Sequence, residues 1–453
     1  MTTRPVAVII LAAGKGTRMK SDKHKVLHPV GGLPMVGHVL KSAQALGASR
    51  SVLVVGSLKE QVEAAFGDQA AIALQEPQLG TAHAVQAAES QLKDFTGDIL
   101  ILYGDVPLIQ PETLRAMLER LNTPVNGVEP ACVVLAFRPN DPAAYGRIVT
   151  DGDGVIRTMV EFKDASPEQR AINLCNSGVM AVKSEQLWSL LSRVDNNNAA
   201  GEYYLPDVVM LAGKDGLPSV VVETGEDEVA GVNSRVELAA VEAVFQNRRR
   251  REFMVEGVTL IAPETVYFSH DTEIGRDVVI EPHVVFGPKV KVESGANIRA
   301  FSHLEGATVA SGCEVGPYAR LRPGAVLKAK AKVGNFVEVK KSVLEAGAKV
   351  NHLTYIGDAS VGERANVGAG TITCNYDGYF KYQTRIGAGA FIGSNSSLVA
   401  PVTIGDGAIV GAGSVVTKDV SADALAVARG NQAEKQGWAA RFRAAMQTKK
   451  KAG

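Results

Sequence analysis

The sequence contains few cysteines, and their spacing argues against the common cysteine-dependent folds. There are four in 453 residues, Cys132, Cys175, Cys313 and Cys374. None belongs to a CxxC pair and none has a histidine at a metal-ligand spacing, so neither a zinc site nor a disulfide framework is indicated. Scattered thiols are typical of a reducing compartment, and we expect a cytoplasmic location.

An excess of one charge and long apolar runs are also missing from the sequence. Lys and Arg together number 48, and so do Asp and Glu, so no overall positive field favours nucleic acid as a partner. The apolar run near the start meets glycine at once, and no stretch approaches the ~20 apolar residues of a membrane span. We therefore expect neither a nucleic-acid partner nor a membrane span.

The first half of the chain alternates aliphatic runs with helix-like segments. The aliphatic runs cover residues 5–11, 51–55, 98–103 and 131–137, and helix-like segments cover 35–46 and 111–121. This alternation predicts an α/β domain with a Rossmann-like sheet and crossover helices.

A helix is predicted to follow this domain. Ser234 and Glu237, three residues later, form a capping-box pattern before a long helical segment. The four arginines at 248–251 could form a nucleic-acid patch, but we interpret them as a solvated helix end in a chain without net charge.

The second half repeats an aliphatic or aromatic residue every six positions, often with glycine next to it. After a few one-residue slips the pattern continues to an interruption at about 373–385, and then it resumes. The repeated positions include Ile274, Ile280, Phe286, Val292, Ile298, Leu304, Val315, Leu321, Val333, Val339, Val350, Ile356, Val367, Ile386, Ile392, Leu398, Ile404, Val410 and Val416. Each unit supplies one short strand and one turn, so stacked units share a core. The pattern predicts a parallel β-helix of hexapeptide repeats.

These features predict four segments along the chain. The α/β domain covers 1–233, the linker helix 234–253, the β-helix 254–430 and a C-terminal tail 431–453. We expect the basic tail to be a frayed end without a function of its own.

The segment after the first predicted strand, Leu11 to Met19, suits phosphate binding. Its glycines and alanines let the backbone approach a phosphate, and Lys15 and Arg18 add positive charge. It is neither a Walker A loop nor GxGxxG, and alone it is equally compatible with a tight turn. Asp105 follows another predicted strand, where a carboxylate can hold Mg²⁺ or cap the strand end.

The whole segment Leu11–Met19, together with the later Lys25, closely resembles the signature of sugar-phosphate nucleotidyltransferases. The resemblance implies that Arg18 and Lys25 act catalytically on the triphosphate and that Asp105 and Asn233 bind Mg²⁺. It implies further nucleotide and sugar contacts by Leu11, Ala12, Ala13, Gly14, Gln75, Gly80, Thr81, Tyr103, Gly104, Gly146, Glu161 and Asn176.

Motifs of the second half resemble one family closely. The segments RLRPG, GNFVEVKK, NHLTYIGD and GAGTITCNYDG, in this order, resemble the bacterial GlmU family of bifunctional uridylyltransferases and acetyltransferases. The resemblance implies a left-handed β-helix, with His352 as general base. It implies sugar-phosphate contacts by Arg322, Lys340, Tyr355, Asn366 and Lys381, and acetyl-CoA contacts by Ala369, Asn375, Tyr376, Ser394, Ala412 and Arg429.

The same resemblance implies the reactions. Acetyl-CoA would acetylate glucosamine 1-phosphate, and UTP would then convert the product to UDP-N-acetylglucosamine for envelope synthesis. It also implies a homotrimer, with acetyl-transfer sites between subunits. The base, the sugar and the order of the reactions rest on the resemblance, not on physical argument.

Three alternatives remain open at this point. The β-helix could be a regulatory or oligomerising part of a nucleotidyltransferase, or a non-catalytic interaction scaffold. A β-helix hydrase would need three converging histidines, and only His283, His303 and His352 are candidates. Their spacings share no simple coil register, which argues against a hydrase.

Overall fold

A computed structural model describes residues 4–142 and 145–452. The chain divides into two compact units, Met1–Arg249 and Arg250–Gly453. Each unit is described by itself.

The first unit is an α/β domain, as predicted. Its strands are β1 (Val6–Ala12), β2 (Pro29–Val30), β3 (Leu33–Pro34), β4 (Arg50–Val55), β5 (Ala71–Leu74), β6 (Asp98–Tyr103), β7 (Cys132–Phe137), β8 (Arg147–Thr150), β9 (Ile156–Val160), β10 (Cys175–Lys183) and β11 (Ser219–Thr224). Its helices are α1 (Met35–Ala45), α2 (Lys59–Phe66), α3 (Thr81–Ala87), α4 (Glu89–Leu92), α5 (Pro111–Leu121), α6 (Pro167–Arg170), α7 (Ser184–Leu191) and α8 (Asp207–Lys214), with short 3-10 turns at Thr17–Met19, Lys25–Leu27 and Glu226–Glu228.

The main sheet has the strand order β11-β7-β10-β6-β1-β4-β5. The pairs of β1 with β4 and with β6 are parallel, and β10 runs antiparallel to β6 and β7. The central strands are aliphatic and almost fully buried because both faces of the sheet are covered. The four predicted aliphatic runs become β1, β4, β6 and β7, within one residue at each end.

The predicted linker helix is α9, Arg235–Val255. The capping box is present: the Ser234 N–H donates to the Glu237 carboxylate over 2.8 Å, and the Glu237 N–H donates to the Ser234 hydroxyl over 3.4 Å. The interpretation of the arginines as a solvated helix end was wrong for Arg250. It is 7% exposed and donates to the Val266 carbonyl over 2.9 Å, because the helix packs this side against the chain that follows.

The second unit consists mainly of very short strands. They are β12 (Thr259–Leu260), β13 (Glu273–Ile274), β14 (Val279–Ile280), β15 (Val285–Phe286), β16 (Lys291–Val292), β17 (Asn297–Ile298), β18 (His303–Leu304), β19 (Ala307–Val309), β20 (Glu314–Val315), β21 (Arg320–Leu321), β22 (Ala325–Leu327), β23 (Lys332–Asn335), β24 (Glu338–Lys340), β25 (Val343–Leu344), β26 (Lys349–His352), β27 (Tyr355–Gly357), β28 (Ala359–Val361), β29 (Asn366–Val367), β30 (Ile372–Cys374), β31 (Thr384–Ile386), β32 (Phe391–Ile392), β33 (Ser397–Val399), β34 (Val402–Ile404), β35 (Ile409–Val410), β36 (Val415–Val416) and β37 (Leu425–Ala426). A 3-10 turn lies at Pro263–Thr265.

These strands form the predicted left-handed β-helix. From β13 to β33, each strand pairs in parallel with the strand three places later, so three parallel sheets surround one core. All the predicted six-residue positions lie in this core or, for Ile274, pack against it. In the two-residue strands the second side chain generally points into the core and the first points outward, and stacking buries what one coil cannot bury alone.

Two features of this unit lie outside its core. The interruption of the repeat is a loop, 375–383, between β30 and β31. At one corner, the exposed rings of His283, Phe301, Tyr318 and Phe336 stack in series, with centroids 4.8–5.1 Å apart. We call these four residues the aromatic ladder.

The expectation of a frayed tail was wrong for most of its length. Residues Trp438–Ala452 form helix α10. The segment is rich in Ala, Lys and Arg, which have high helix propensity. The Trp438 and Phe442 rings, four residues apart, stack with centroids 5.1 Å apart.

Candidate active sites

A cavity of about 380 Å³ lies at the carboxyl ends of β1 and β6. Leu11 pairs with Tyr103 in parallel register, and the Gly104 N–H donates to the Leu11 carbonyl over 2.9 Å. The glycine-rich loop after β1 and Asp105 after β6 therefore lie at the same edge of the sheet, where open α/β sheets bind ligands. The predicted residues that line the cavity are Leu11, Ala12, Ala13, Gly14, Lys25, Gln75, Gly80, Thr81, Tyr103 and Asp105.

The charged centre of this cavity joins residues from three distant parts of the chain. The Lys25 ammonium pairs with the Asp105 carboxylate and lies 3.2 Å from Oδ1 of Asn233. Asn233 reaches this place because the Val232 N–H donates to the Asp105 carbonyl over 3.0 Å. Two hard oxygen donors thus converge on one cation, here a lysine ammonium.

The segment from Gln75 to Thr81 forms one wall of the cavity and is held from both ends. The buried Gln75 amide donates to the Gly80 carbonyl over 2.9 Å, and the Thr81 hydroxyl accepts from the Leu205 N–H over 3.0 Å. Gly80 has φ 122°, and a Cβ there would lie 2.5 Å from the Tyr203 carbonyl oxygen. Only glycine fits this close approach.

Three predicted sugar-contacting residues lie together on β8–β10 and their connections. The Asn176 N–H donates to the Gly146 carbonyl over 2.9 Å, and a Cβ on Gly146 would lie 3.2 Å from the Glu161 carboxylate. Burial, followed by the neighbouring carboxylates of Asp164 and Asp207, raises the pKa of Glu161. Burial, with smaller contributions from Asp105 and Glu161, raises the pKa of Tyr103 above its usual value.

In the second unit, four predicted sugar-phosphate residues gather on one sheet of the β-helix and the loop beside it. The strands β24 and β27 pair in register, which places Lys340 opposite Gly357 and Glu338 opposite Tyr355. Arg322 donates to the Glu338 carboxylate over 2.7 Å. The adjacent Lys381 ammonium lowers the pKa of Lys340. Two close ammonium groups and an arginine form a site suited to a dianion.

The predicted base and three predicted acetyl-CoA residues occupy one position in successive coils. The N–H after each residue donates to the carbonyl of the residue one coil below: Leu353 to Asn335, Gly370 to His352, Asn395 to Ala369 and Gly413 to Ser394. We call Asn335, His352, Ala369, Ser394 and Ala412 the corner column. Arg429 closes its upper end, donating to the Ala412 carbonyl over 2.6 Å.

The loop 375–383 carries Lys381 and so lies beside Lys340, the other ammonium group of the site. The Asn375 amide donates to the Asp358 carboxylate over 2.6 Å. Tyr376 and Lys381 face each other in a short antiparallel bridge, and Tyr376 is 59% exposed. Lys381 therefore lies on a turn whose two arms are joined by this backbone bridge.

Comparison with known proteins finds a family model in each half of the chain and relatives over its whole length. Residues 8–152 match the family model of the MobA-like NTP transferase domain, and residues 383–418 match the bacterial transferase hexapeptide model (six repeats). Proteins named Bifunctional protein GlmU from Rhizorhabdus wittichii, Sphingopyxis alaskensis and Zymomonas mobilis are 66%, 61% and 58% identical to this chain. Each alignment covers 98–100% of both sequences.

The chain belongs to the GlmU family. It is therefore a bifunctional enzyme, with the uridylyltransferase and glucosamine-1-phosphate acetyltransferase activities that the sequence resemblance predicted. The alternatives of a purely regulatory β-helix and of a non-catalytic scaffold do not agree with GlmU-family membership over the whole chain. None of the helices in the described residues has the length and apolar character needed to cross a membrane.

Two predicted residues of this GlmU-family chain lie apart from the groups described above. Arg18 is exposed on the turn Thr17–Met19 and is not among the cavity-lining residues. Asn366 lies on the sheet that contains β26, whereas Lys340 and Tyr355 lie on the next sheet. Both remain predictions as ligand contacts.

Sequence reasoning about this GlmU-family chain missed several polar residues at the two sites. Gln78 lines the nucleotide cavity and donates to the Ala13 carbonyl. Its place in the sequence between the predicted residues Gln75 and Gly80 was an available signal. Asp358 ends the motif NHLTYIGD, which was a signal of the same kind, whereas Glu202, another lining residue, had no such signal.

The hydrase alternative finds no support. Within residues 4–142 and 145–452, no three His, Cys, Asp or Glu side chains lie close enough together to hold a metal ion. His283 belongs to the aromatic ladder, and His303 lies on a different sheet from His352.

Proposed function

We propose that uridylyl transfer takes place in the cavity at the ends of β1 and β6. The loop with Gly14 binds the UTP phosphates, Gln75, Gly80 and Thr81 bind the base, and Arg18 and Lys25 stabilise the charge of the departing pyrophosphate. The phosphate of N-acetylglucosamine 1-phosphate attacks the α-phosphorus, the bond to the β-phosphate oxygen breaks, and no protein nucleophile is needed. The protein contributes positioning and charge.

The sugar is proposed to bind next to Tyr103, against Gly146, Glu161 and Asn176. The Glu161 carboxylate, whose pKa is raised, and the backbone of Gly146, which has no side chain, can hydrogen-bond to the hydroxyls and the acetamide of a sugar. Gly146 leaves the Glu161 carboxylate uncovered on that side, since a Cβ there would lie against it.

Asp105 and Asn233 fit the requirements of Mg²⁺. Their carboxylate and amide oxygens are the donors that this ion prefers, and they already converge on a cation, Lys25. Mg²⁺, when bound, neutralises charge on the triphosphate. Lys25 then has to turn toward the phosphates, which is the role proposed for it above.

We propose that acetyl transfer takes place at the corner column and the cations beside it. Arg322, Lys340, Tyr355 and Lys381, with Asn366, bind glucosamine 1-phosphate. His352 removes a proton from the 2-amino group as it attacks the thioester carbonyl, and the thiolate of CoA leaves. Acetyl-CoA lies along Ala369, Ser394, Ala412 and Arg429, with Tyr376 and Asn375 at its reactive end, where the Asn375 amide stabilises the tetrahedral oxyanion.

The assembly is proposed to be a homotrimer in the cytoplasm. Support for the trimer is the resemblance to hexapeptide-repeat acetyltransferases with sites between subunits. Support for the location is that all four cysteines are free thiols. Sedimentation equilibrium tests the trimer directly.

The observation that carries the two-site proposal is that Lys25, Asp105 and Asn233 meet in one unit, whereas His352 lies in the corner column of the other. The test uses the full chain with glucosamine 1-phosphate, acetyl-CoA, UTP and Mg²⁺, following free CoA and pyrophosphate separately. His352→Ala should lower CoA release at least about 100-fold and still form pyrophosphate from supplied N-acetylglucosamine 1-phosphate. Asp105→Ala should do the reverse. Loss of both products in either variant would contradict two independent sites.

A further inference from the structure

The imidazole of His352 is held by a side chain one coil below. Its Nδ1 lies 2.6 Å from Oδ1 of Asn335. A carbonyl oxygen of an amide only accepts hydrogen bonds, so Nδ1 carries the ring proton and donates it. In neutral imidazole the other nitrogen, Nε2, then has the free lone pair.

We propose that Asn335 is a positioning residue for acetyl transfer, which fixes the His352 tautomer and aims Nε2 at the amino group to be deprotonated. The inference rests on the proposed role of His352 as general base. Asn335 itself touches neither reacting atom in this scheme. It ensures that the nitrogen facing the substrate is the one that can accept a proton.

The backbone is adapted to this contact. On the sheet concerned, β23 and β26 have four residues each, whereas its other strands have two. The two longer strands reach the corner and bring Asn335 into register with His352. Gly334 makes this possible, because a Cβ there would overlap the Asn351 carbonyl oxygen.

The environment explains why the imidazole needs this partner. His352 is exposed, and so are its corner neighbours Leu353 and Phe336. An exposed ring is not confined to one rotamer by packing, so a hydrogen bond donated by His352 to a half-buried residue on a paired strand supplies the orientation. The members of the corner column beyond His352, Ala369, Ser394 and Ala412, have small side chains, which leaves room along the column for the proposed acetyl-CoA site.

The test measures acetyl transfer and uridylyl transfer in the same full-length protein. Asn335→Ala should lower kcat of CoA release about tenfold, leave KM for both substrates within about twofold, and leave uridylyl transfer unchanged. Asn335→Asp keeps an acceptor for Nδ1–H, so it should recover much of kcat. Its carboxylate also favours imidazolium, so the acid limb of the kcat profile should move to higher pH. Asn297→Ala, at an exposed asparagine on the same sheet, is the matched control.

The outcomes separate this inference from the function on which it rests. If Asn335→Ala keeps the wild-type kcat and pH profile while His352→Ala is inactive, the positioning role is wrong and the base assignment stands. If His352→Ala itself retains acetyl transfer, the proposed base is wrong regardless of Asn335. A change in KM alone, or an equal loss of uridylyl transfer and thermal stability, would show substrate contact or a structural role and would also overturn the inference.

Discussion

Lys25 is proposed to serve two partners, and at the residue scale this competition can be measured. In the structure its ammonium pairs with Asp105 and approaches Asn233, the oxygens assigned to the metal. Lys25→Met should therefore raise the affinity for Mn²⁺ without nucleotide, by about tenfold for loss of a half-buried cation, and at the same time impair uridylyl transfer. Titration of free Mn²⁺ by electron paramagnetic resonance measures the first effect.

The matched control for this prediction is Lys15→Met. Lys15 is exposed on the same loop and lines the neighbouring cavity, so its loss removes the same charge from a nearby place. Equal Mn²⁺ affinity in the two variants would mean that general charge, and not occupancy of the Asp105–Asn233 pair, is responsible.

His24, next to Lys25, makes the stability of the first unit depend on pH. It is 3% exposed, and burial, followed by the Lys25 charge, lowers its pKa from the usual 6.5. The unfolded chain therefore binds the proton more tightly, so the free energy of unfolding falls as pH drops below about 6.5, by up to ~1.4 kcal/mol per pH unit for this group.

The measurement compares thermal unfolding of the full chain at pH 7.5 and pH 5.5. His24→Asn keeps an acceptor near the position of Nδ1, which accepts from the Val26 N–H over 3.3 Å, and removes the titration. It should reduce the acid-induced loss of stability of the first unit. The exposed His303→Asn should not. The same loss in wild type and His24→Asn would refute the assignment.

At the element scale, the loop 375–383 brings Lys381 to Lys340, and the lowered pKa of Lys340 reflects two cations placed close together. Lys381→Met should relieve this repulsion but weaken binding of the sugar phosphate. KM for glucosamine 1-phosphate in acetyl transfer should rise about tenfold or more, with a smaller change in kcat. Initial rates of CoA release at varied sugar phosphate measure it.

Lys349→Met serves as the control for the loop, because Lys349 is exposed on another sheet of the same β-helix. An unchanged KM in Lys381→Met would remove the loop from the phosphate site. The coupled assay of pyrophosphate from supplied N-acetylglucosamine 1-phosphate should give wild-type values for both variants.

The elements that could be predicted from sequence are those with local signals. The six-residue repeat placed Val333, Ile356 and the other inward residues correctly because inward packing at every face is what a β-helix requires. Ser234 and Glu237 located the start of α9 because the capping box is formed within one turn. Each of these patterns determines a structure within a few neighbouring residues, so it can be recognised from the sequence alone.

Contacts between coils could not be predicted in the same way. Phe301 follows His283 by 18 positions and stacks on it, whereas Tyr318 follows Phe301 by 17 and stacks on it. Because the length of a coil varies by one residue in this way, the sequence does not reveal which side chains meet. Asn335 stood in the quoted motif GNFVEVKK, yet its contact with His352 depends on the register of β23 with β26. Burial of Arg250 likewise depends on packing that the sequence around it does not reveal.

At the scale of the whole molecule, each unit has hydrophobic cores of its own: one continuous core runs through the β-helix from Phe253 to Val416, and separate cores lie on the two faces of the first sheet. Fully buried Ile356 lies in the middle of the β-helix core. Ile356→Ala should cost about 2–5 kcal/mol of unfolding free energy by leaving a cavity, and the cost should fall on the acetyltransferase unit.

Heat inactivation of the two activities in one sample tests this separation. In Ile356→Ala, acetyl transfer should be lost at a lower temperature than in wild type, and uridylyl transfer should survive to the wild-type temperature. Leu100→Ala, equally buried in the first sheet, is the reciprocal variant and should lower only the inactivation temperature of uridylyl transfer. If either variant shifts both activities together, the chain unfolds as one cooperative unit, and the two cores depend on each other for stability despite sharing no residue.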